Sequence, residues 1–299
     1  EVLQKNPDIL NDFFWPDGHI RVTGREYNGL LESACYQRGK MSCISCHSMH
    51  KSDPDDQLAR GMRGNQACLQ CHDKMAGNIT AHTQHAADSV GSNCTNCHMP
   101  HTSYGLLKAI RGHTIETPNI ATTLETGRPN ACNLCHLDKT LDWTAGQLAK
   151  RSGEVQPTVP KEHRTTAASV IWLLKGDAGQ RALAAWHMGW KPALEASGSG
   201  WQSPLLAELL DDPYSAVRYM AHKALTRQPG FEGFEYDFVA DETSRLARRE
   251  AALAKWTLST HNTPTHPNTL LLDTDGQRLT NKVRQLIETR DKRPMRLRE

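Results

Sequence analysis

Eight of the nine cysteines fall into four pairs, each with two residues between the thiols and a histidine directly after the second. The motifs are Cys43-Ile-Ser-Cys46-His47, Cys68-Leu-Gln-Cys71-His72, Cys94-Thr-Asn-Cys97-His98 and Cys132-Asn-Leu-Cys135-His136. Two thiols at this spacing reach the two vinyl groups of one porphyrin, and the adjacent imidazole falls beneath the iron. The pattern predicts covalent attachment of four c-type haems, each held at three points. Zinc and iron–sulfur sites also use paired cysteines, but neither requires histidine after the second one four times over. A thioredoxin-like role does not fit either, because no βαβ pattern surrounds the pairs.

Setting aside the four motif histidines, eleven remain: His19, His50, His82, His85, His101, His113, His163, His187, His222, His261 and His266. Four irons closed by a second histidine need four of them. His50 follows His47 too closely to reach the opposite face of its own haem, so a neighbouring haem is its natural target. His82 and His85 precede the third motif and, if helical, share one face. His113 lies between the third and fourth motifs, where other donors are few. The expected distal ligands are therefore His50, His82, His85 and His113, with His101 as a rival because it repeats the offset of His50, and with His19 and His163 as further candidates. His187 and His222 read as surface or packing residues.

Methionine is the other axial donor and raises the potential relative to histidine. Met49, Met62, Met75 and Met99 lie in the same stretch, but with histidine so abundant they read as packing residues. Cys35 belongs to no pair. It reads as a buried free thiol, with an unusual haem ligand or an intermolecular disulfide as the alternatives.

The elements that must carry these residues change character along the 299-residue chain. Residues 1–157 are expected to form a tetrahaem domain with little regular structure, in which porphyrin faces replace an apolar core. Short helices are expected at Gly105–Arg111 and Leu141–Lys150, and Gly127-Arg-Pro129 marks a turn. After a polar linker through Pro160, residues 158–258 read as short amphipathic helices: His163–Leu174, Gln180–Met188, Leu205–Leu210, Ala216–Thr226 and Ser244–Thr257. Pro213 is expected at a helix start. Arg181-Ala-Leu-Ala-Ala-Trp186 resembles Arg218-Tyr-Met-Ala-His-Lys-Ala-Leu225, 37 residues on, and Arg249 opens a third copy. A period near 40 with two helices per unit fits a HEAT-like repeat. Trp172, Trp186, Trp190, Trp201 and Trp256 fall in this half as core residues, one or two of them available to cover a haem edge. Residues 259–299 read as an extension that ends in a solvated basic helix. The fold class is thus mainly α: a multihaem cytochrome c segment followed by an α-helical HEAT-like repeat domain.

Composition bounds the partners. Hydrophobic residues make up 38% and charged residues 23%, which marks a globular chain. No apolar run is long enough to span a bilayer, so no transmembrane segment is expected. The formal net charge is +2. Four haems would bring eight propionates against four ferric centres, taking the total to about −2 oxidised and about −6 reduced. A nucleic-acid partner is therefore not expected; redox protein donors and acceptors are. Glu1 opens on polar sequence, as expected after removal of a signal peptide. Haem attachment of this kind occurs outside the cytoplasm, which gives a periplasmic or extracellular location.

With both halves described, the sequence resembles the multihaem cytochromes c that fuse a haem segment to HEAT-like repeats. The resemblance lies in Phe14-Trp-Pro-Asp-Gly18, Glu26-Tyr-Asn-Gly29, 43–50, 82–85, 91–100, 105–113, 127–137, 184–190 and Asp211-Asp-Pro-Tyr-Ser-Ala-Val-Arg218. The haem segment also resembles, distantly, the cytochrome c554 and nitrite reductase superfamily. This implies mainly bis-histidine haems, with His50, His85 and His113 as distal ligands, in a secreted electron carrier of a respiratory or extracellular redox chain. Two other readings follow from the same residues. One is a haem enzyme reducing a small oxyanion, which needs an open iron. The other is a structural subunit of a redox complex or a conductive filament, built by self-association.

Overall fold

A computed structural model of the chain describes residues 7–22, 24–50, 52–105, 107–153, 155–257 and 264–295. His261, the start of the C-terminal extension at Ser259, and residues 296–298 of the basic stretch lie outside them. The architecture is mainly α-helical with little β-structure. The chain divides into two compact units: one made of Glu1–Thr23, Thr102–Ile110 and Asn119–Glu299, the other of Gly24–His101 and Arg111–Pro118. The first three Cys-x-x-Cys-His motifs lie in the second unit, and the fourth lies in the first.

The larger unit holds a conventional core. Its helices include Leu141–Ser152, Lys161–Thr165, Ala168–Leu174, Ala178–His187, Lys191–Ser197, Ser203–Glu208, Ser215–Leu225, Glu242–Thr257 and Thr280–Glu288. Most of them bury apolar side chains, and Leu173, Leu174, Met188, Leu205, Leu206, Leu225 and Trp256 pack in one cluster; Lys161–Thr165, which has no apolar residue, buries none. Caps fix the helix starts. Asp177 accepts from the backbone N–H groups of Gly179 and Gln180 at 2.9 and 3.1 Å, while Gln180 accepts from the Asp177 N–H in return, a reciprocal capping box.

The arginines of the three similar segments are all engaged, each in a different contact. Arg181 and Arg218 are both buried. Arg181 donates to both oxygens of Asp212, at 2.7 and 3.0 Å, and Arg218 donates to the Asp212 carbonyl at 2.7 Å. Arg290, beyond the last helix, reaches the same carboxylate at 2.8 Å. Arg249, the third copy, pairs with Glu208 at 2.9 Å. Asp212 is fully buried and ties three segments that are remote in sequence. A buried carboxylate persists only with its lone pairs satisfied this fully.

Several expected elements differ. Residues 101–111 contain two paired strands, His101–Tyr104 and Lys108–Arg111, in place of the helix expected over Gly105–Arg111. Gly105 sits between them at φ +55°, a turn conformation that interrupts a helix. The helix expected over His163–Leu174 is broken into Lys161–Thr165 and Ala168–Leu174, since Thr166 and Ala167 are extended. Pro213 lies two residues before the helix Ser215–Leu225 rather than within its first turn. The last helix, Thr280–Glu288, is not simply solvated: it buries Val283 and Leu286.

The smaller unit is built differently. Helices Glu26–Glu32, Ala34–Gln37, Gln66–Leu69, Ile79–Thr83 and Cys94–His98 are all short. Of its apolar side chains only Leu30 is buried, whereas Ile44 and Met49 are 76% and 78% exposed. Met49 is therefore not a packing residue among protein side chains. The backbone is held instead by loop and side-chain hydrogen bonds.

The Asp212 hub yields a test. Asp212→Ala strands two buried guanidinium groups, and removal of one partner from a buried pair costs about 3–5 kcal/mol. Chemical denaturation followed by far-ultraviolet circular dichroism should show that loss in the helical transition.

Candidate functional site

The cysteine motifs of the smaller unit form a row. Cys43–Ser45 is a single 3-10 turn, Gln66–Leu69 enters the second motif, and Cys94–His98 is one helical turn containing the whole of the third. One turn brings both thiols of a Cys-x-x-Cys pair to the same side. Gln70 donates to the Ser45 carbonyl at 3.0 Å, linking motif two to motif one. Asn65 donates to the Ser92 carbonyl and accepts from the Cys94 N–H, both at 2.8 Å, linking motif two to motif three.

The thiols report the same order. Burial, and then the neighbouring Cys94, which shares a hydrogen bond with it, push the Cys68 thiol up to about 12. Burial, followed by the nearby Cys71 and Cys35, raises Cys46 as well. These thiols are neutral at physiological pH and stand close to those of the adjoining motif. None of the nine cysteines is in a disulfide, and Cys35 is only partly buried. In the larger unit the fourth motif forms the helix Ala131–Cys135, capped by Asn130, whose side chain accepts from the Cys132 N–H at 3.1 Å. The ring of His136 lies 5.0 Å from that of Trp143.

The histidines are oriented through one ring nitrogen. Nδ1–H of His47 donates to the Gln57 carbonyl at 3.3 Å, that of His98 to Glu116 at 2.8 Å, that of His113 to Arg111 at 3.0 Å and that of His85 to Thr83 at 2.7 Å. A carbonyl can only accept, so the proton is on Nδ1 and the lone pair of the neutral ring is on Nε2. This backbone clamp is how protein groups fix the tautomer of a metal-ligating imidazole. Burial, the largest influence, lowers the pKa of His113 against the opposing charge of Glu26, which favours the neutral form.

Two motif histidines face non-motif histidines. The ring centroids of His47 and His113 are 6.0 Å apart with planes 28° from parallel; those of His82 and His98 are 6.0 Å apart and 11° from parallel. His82 and His85 do not share a helical face as expected, because the helix ends at Thr83 and Gln84 takes a left-handed conformation at φ +58°. His50 is exposed, in a tight turn where Ser48 bonds the His50 backbone. His72 is exposed too. His101 lies in the first strand. His163, in the larger unit, is lowered in pKa chiefly by burial, and its Nδ1 is buried without a hydrogen-bond partner. His187 is buried within its helix, against the rings of Trp186 and Trp190, and packs there rather than lying on the surface.

The donor set fits haem. Among the described residues no three or more His, Cys, Asp or Glu side chains converge on one point. A porphyrin iron takes one or two axial donors from protein, and a pair of opposed imidazoles is one such set.

Several positioning residues escaped the sequence reading. The clamping carbonyls carry no side-chain signature. Asn65 and Gln70 look like ordinary polar surface residues. Gly91 offered a signal: a Cβ there would stand 2.3 Å from the His85 ring, so only glycine admits that imidazole.

Residues 36–77, spanning the first two motifs, match the family model described as a doubled CXXCH motif. No curated protein and no solved structure matches the chain. The chain thus carries a doubled CxxCH haem-binding motif in a mainly helical protein, and no described helix is long and apolar enough to cross a membrane.

Gly91→Ala tests the packing around His85. The added methyl must displace the ring from its Thr83 clamp, and overpacking of this kind costs about 1–3 kcal/mol. Equilibrium denaturation should show the loss, with a shifted His85 ring resonance in the spectrum of the variant.

Proposed function

We propose that the chain is a c-type cytochrome that binds four haems covalently and passes single electrons between redox proteins outside the cytoplasm. The attachment points are Cys43 and Cys46, Cys68 and Cys71, Cys94 and Cys97, and Cys132 and Cys135. His47, His72, His98 and His136 are the proximal ligands, and the distal ligands come from the pool that includes His50, His82, His85 and His113. In this reading the haem segment is joined to a HEAT-like helical array that serves as scaffold or docking surface. Paired arginine contacts at Arg181, Arg218 and Arg249 support the repeat.

The observation that carries the reading is the make-up of the smaller unit. It holds three Cys-x-x-Cys-His motifs and five further histidines, and among its described residues Leu30 is the one buried apolar side chain. Haem bound there supplies reversible one-electron exchange at iron. The chain's own part is to anchor each group by two thiols, clamp the imidazoles through Nδ1 and cover apolar faces with Ile44, Met49 and their neighbours. A surplus of imidazole favours closed irons, and closed irons favour electron transfer over turnover of a substrate at the metal.

Intact mass and the alkaline pyridine spectrum of protein matured with the haem-attachment machinery should give four haems per chain, and three for Cys132→Ala/Cys135→Ala. Bound zinc, or a lower count in the unaltered chain, would contradict the proposal. Absorption spectra unchanged by carbon monoxide or cyanide are expected for a carrier. One high-spin iron that binds either would favour the oxyanion-reducing enzyme instead.

A further inference from the structure

We infer that His113 is the distal ligand of the iron attached at Cys43–His47, and that His82 is the distal ligand of the iron attached at Cys94–His98. This rests on the reading that these motifs carry haem, and it goes further by assigning two irons their second ligand.

The geometry is that of two imidazoles sharing a metal. An imidazole nitrogen lies about 2 Å from a bound transition metal, and the ring centroid about 1 Å behind it. Two rings facing each other across one iron therefore have centroids about 6 Å apart. Both pairs are separated by 6.0 Å. Direct stacking does not account for this. Ring faces touch at about 3.5–4 Å, so centroids 6.0 Å apart would need a slip of about 5 Å, beyond the overlap of two five-membered rings. In each pair one member is a motif histidine and the other is not, as proximal and distal ligands must be.

The surrounding chain supports the assignment. His47, His98 and His113 each spend Nδ1–H on a backbone carbonyl, which leaves Nε2 as the donor atom. The segment carrying His113 is fastened independently. Glu116 N–H donates to the His98 carbonyl at 2.9 Å, and a Cβ at Gly29 would lie 3.0 Å from the Thr114 nitrogen. The left-handed residue Gln84 separates the courses of His82 and His85, so the two need not serve one iron. His50 is exposed in its turn and faces no motif histidine among the described contacts.

The test uses the full haem-loaded chain and reads spin state and haem count together. His113→Ala and His82→Ala should each keep all haems and convert one iron from low spin to a high-spin, carbon-monoxide-binding form. The low-spin resonance lost should be rhombic, as near-parallel imidazole planes produce, rather than of the strongly anisotropic kind given by perpendicular planes. His113→Met and His82→Met should restore low spin with a raised potential at that one iron. In a Cys43→Ala/Cys46→Ala background His113→Ala should add nothing, and the same should hold for His82→Ala in Cys94→Ala/Cys97→Ala. If all irons stay low spin in the single variants, or the effects persist in those backgrounds, the pairing is wrong although haem is bound. If the unaltered chain holds no haem at these motifs, the functional reading itself fails.

Discussion

The smaller unit has to fold almost without burying apolar side chains, and the rest of the account depends on that constraint. Ordering each residue costs about 1–2 kcal/mol of conformational entropy. Burial of Leu30 returns about 2 kcal/mol. No disulfide shortens the unfolded chain. Hydrogen bonds through Asn65, Gln70 and the Nδ1 clamps specify geometry, but at about 1 kcal/mol net each they do not close such a gap. On the proposed reading, porphyrin faces supply the missing apolar surface and iron–imidazole bonds tie the segments together, as small domains use metals in place of a core.

The larger unit meets the opposite condition. Leu173, Leu174, Leu205 and Leu206 pack into a continuous cluster, and the Asp212 hub fixes how the helices around it register. The fourth motif belongs to this unit, where Asn130 caps its helix and Trp143 lies against His136. A haem there would be held by a framework with its own core. Haems at the other three motifs would be part of the framework itself.

The four Cys-x-x-Cys-His motifs were legible because haem attachment, as proposed, imposes a fixed local spacing, and the helices of the larger unit because apolar residues recur at helical intervals. What could not be read was set by backbone conformation and long-range return of the chain. The left-handed turn at Gln84 redirects His85, and Gly105 turns the chain between two strands where a helix was expected. Nothing in the sequence around His113 shows that it comes back to face His47. The carbonyls of Gln57, Thr83, Arg111 and Glu116 orient imidazoles without any side-chain identity at all.

The most direct measurement is hydrogen exchange on the chain made with and without haem attachment. If haem forms the interior of the smaller unit, amides in 24–101 and 111–118 should be protected only in the haem-loaded protein. Those in the helices from Ala168 to Leu225 should be protected in both. Equal protection of 24–101 in the haem-free chain would contradict the account, because the unit would then be folding on its polypeptide alone.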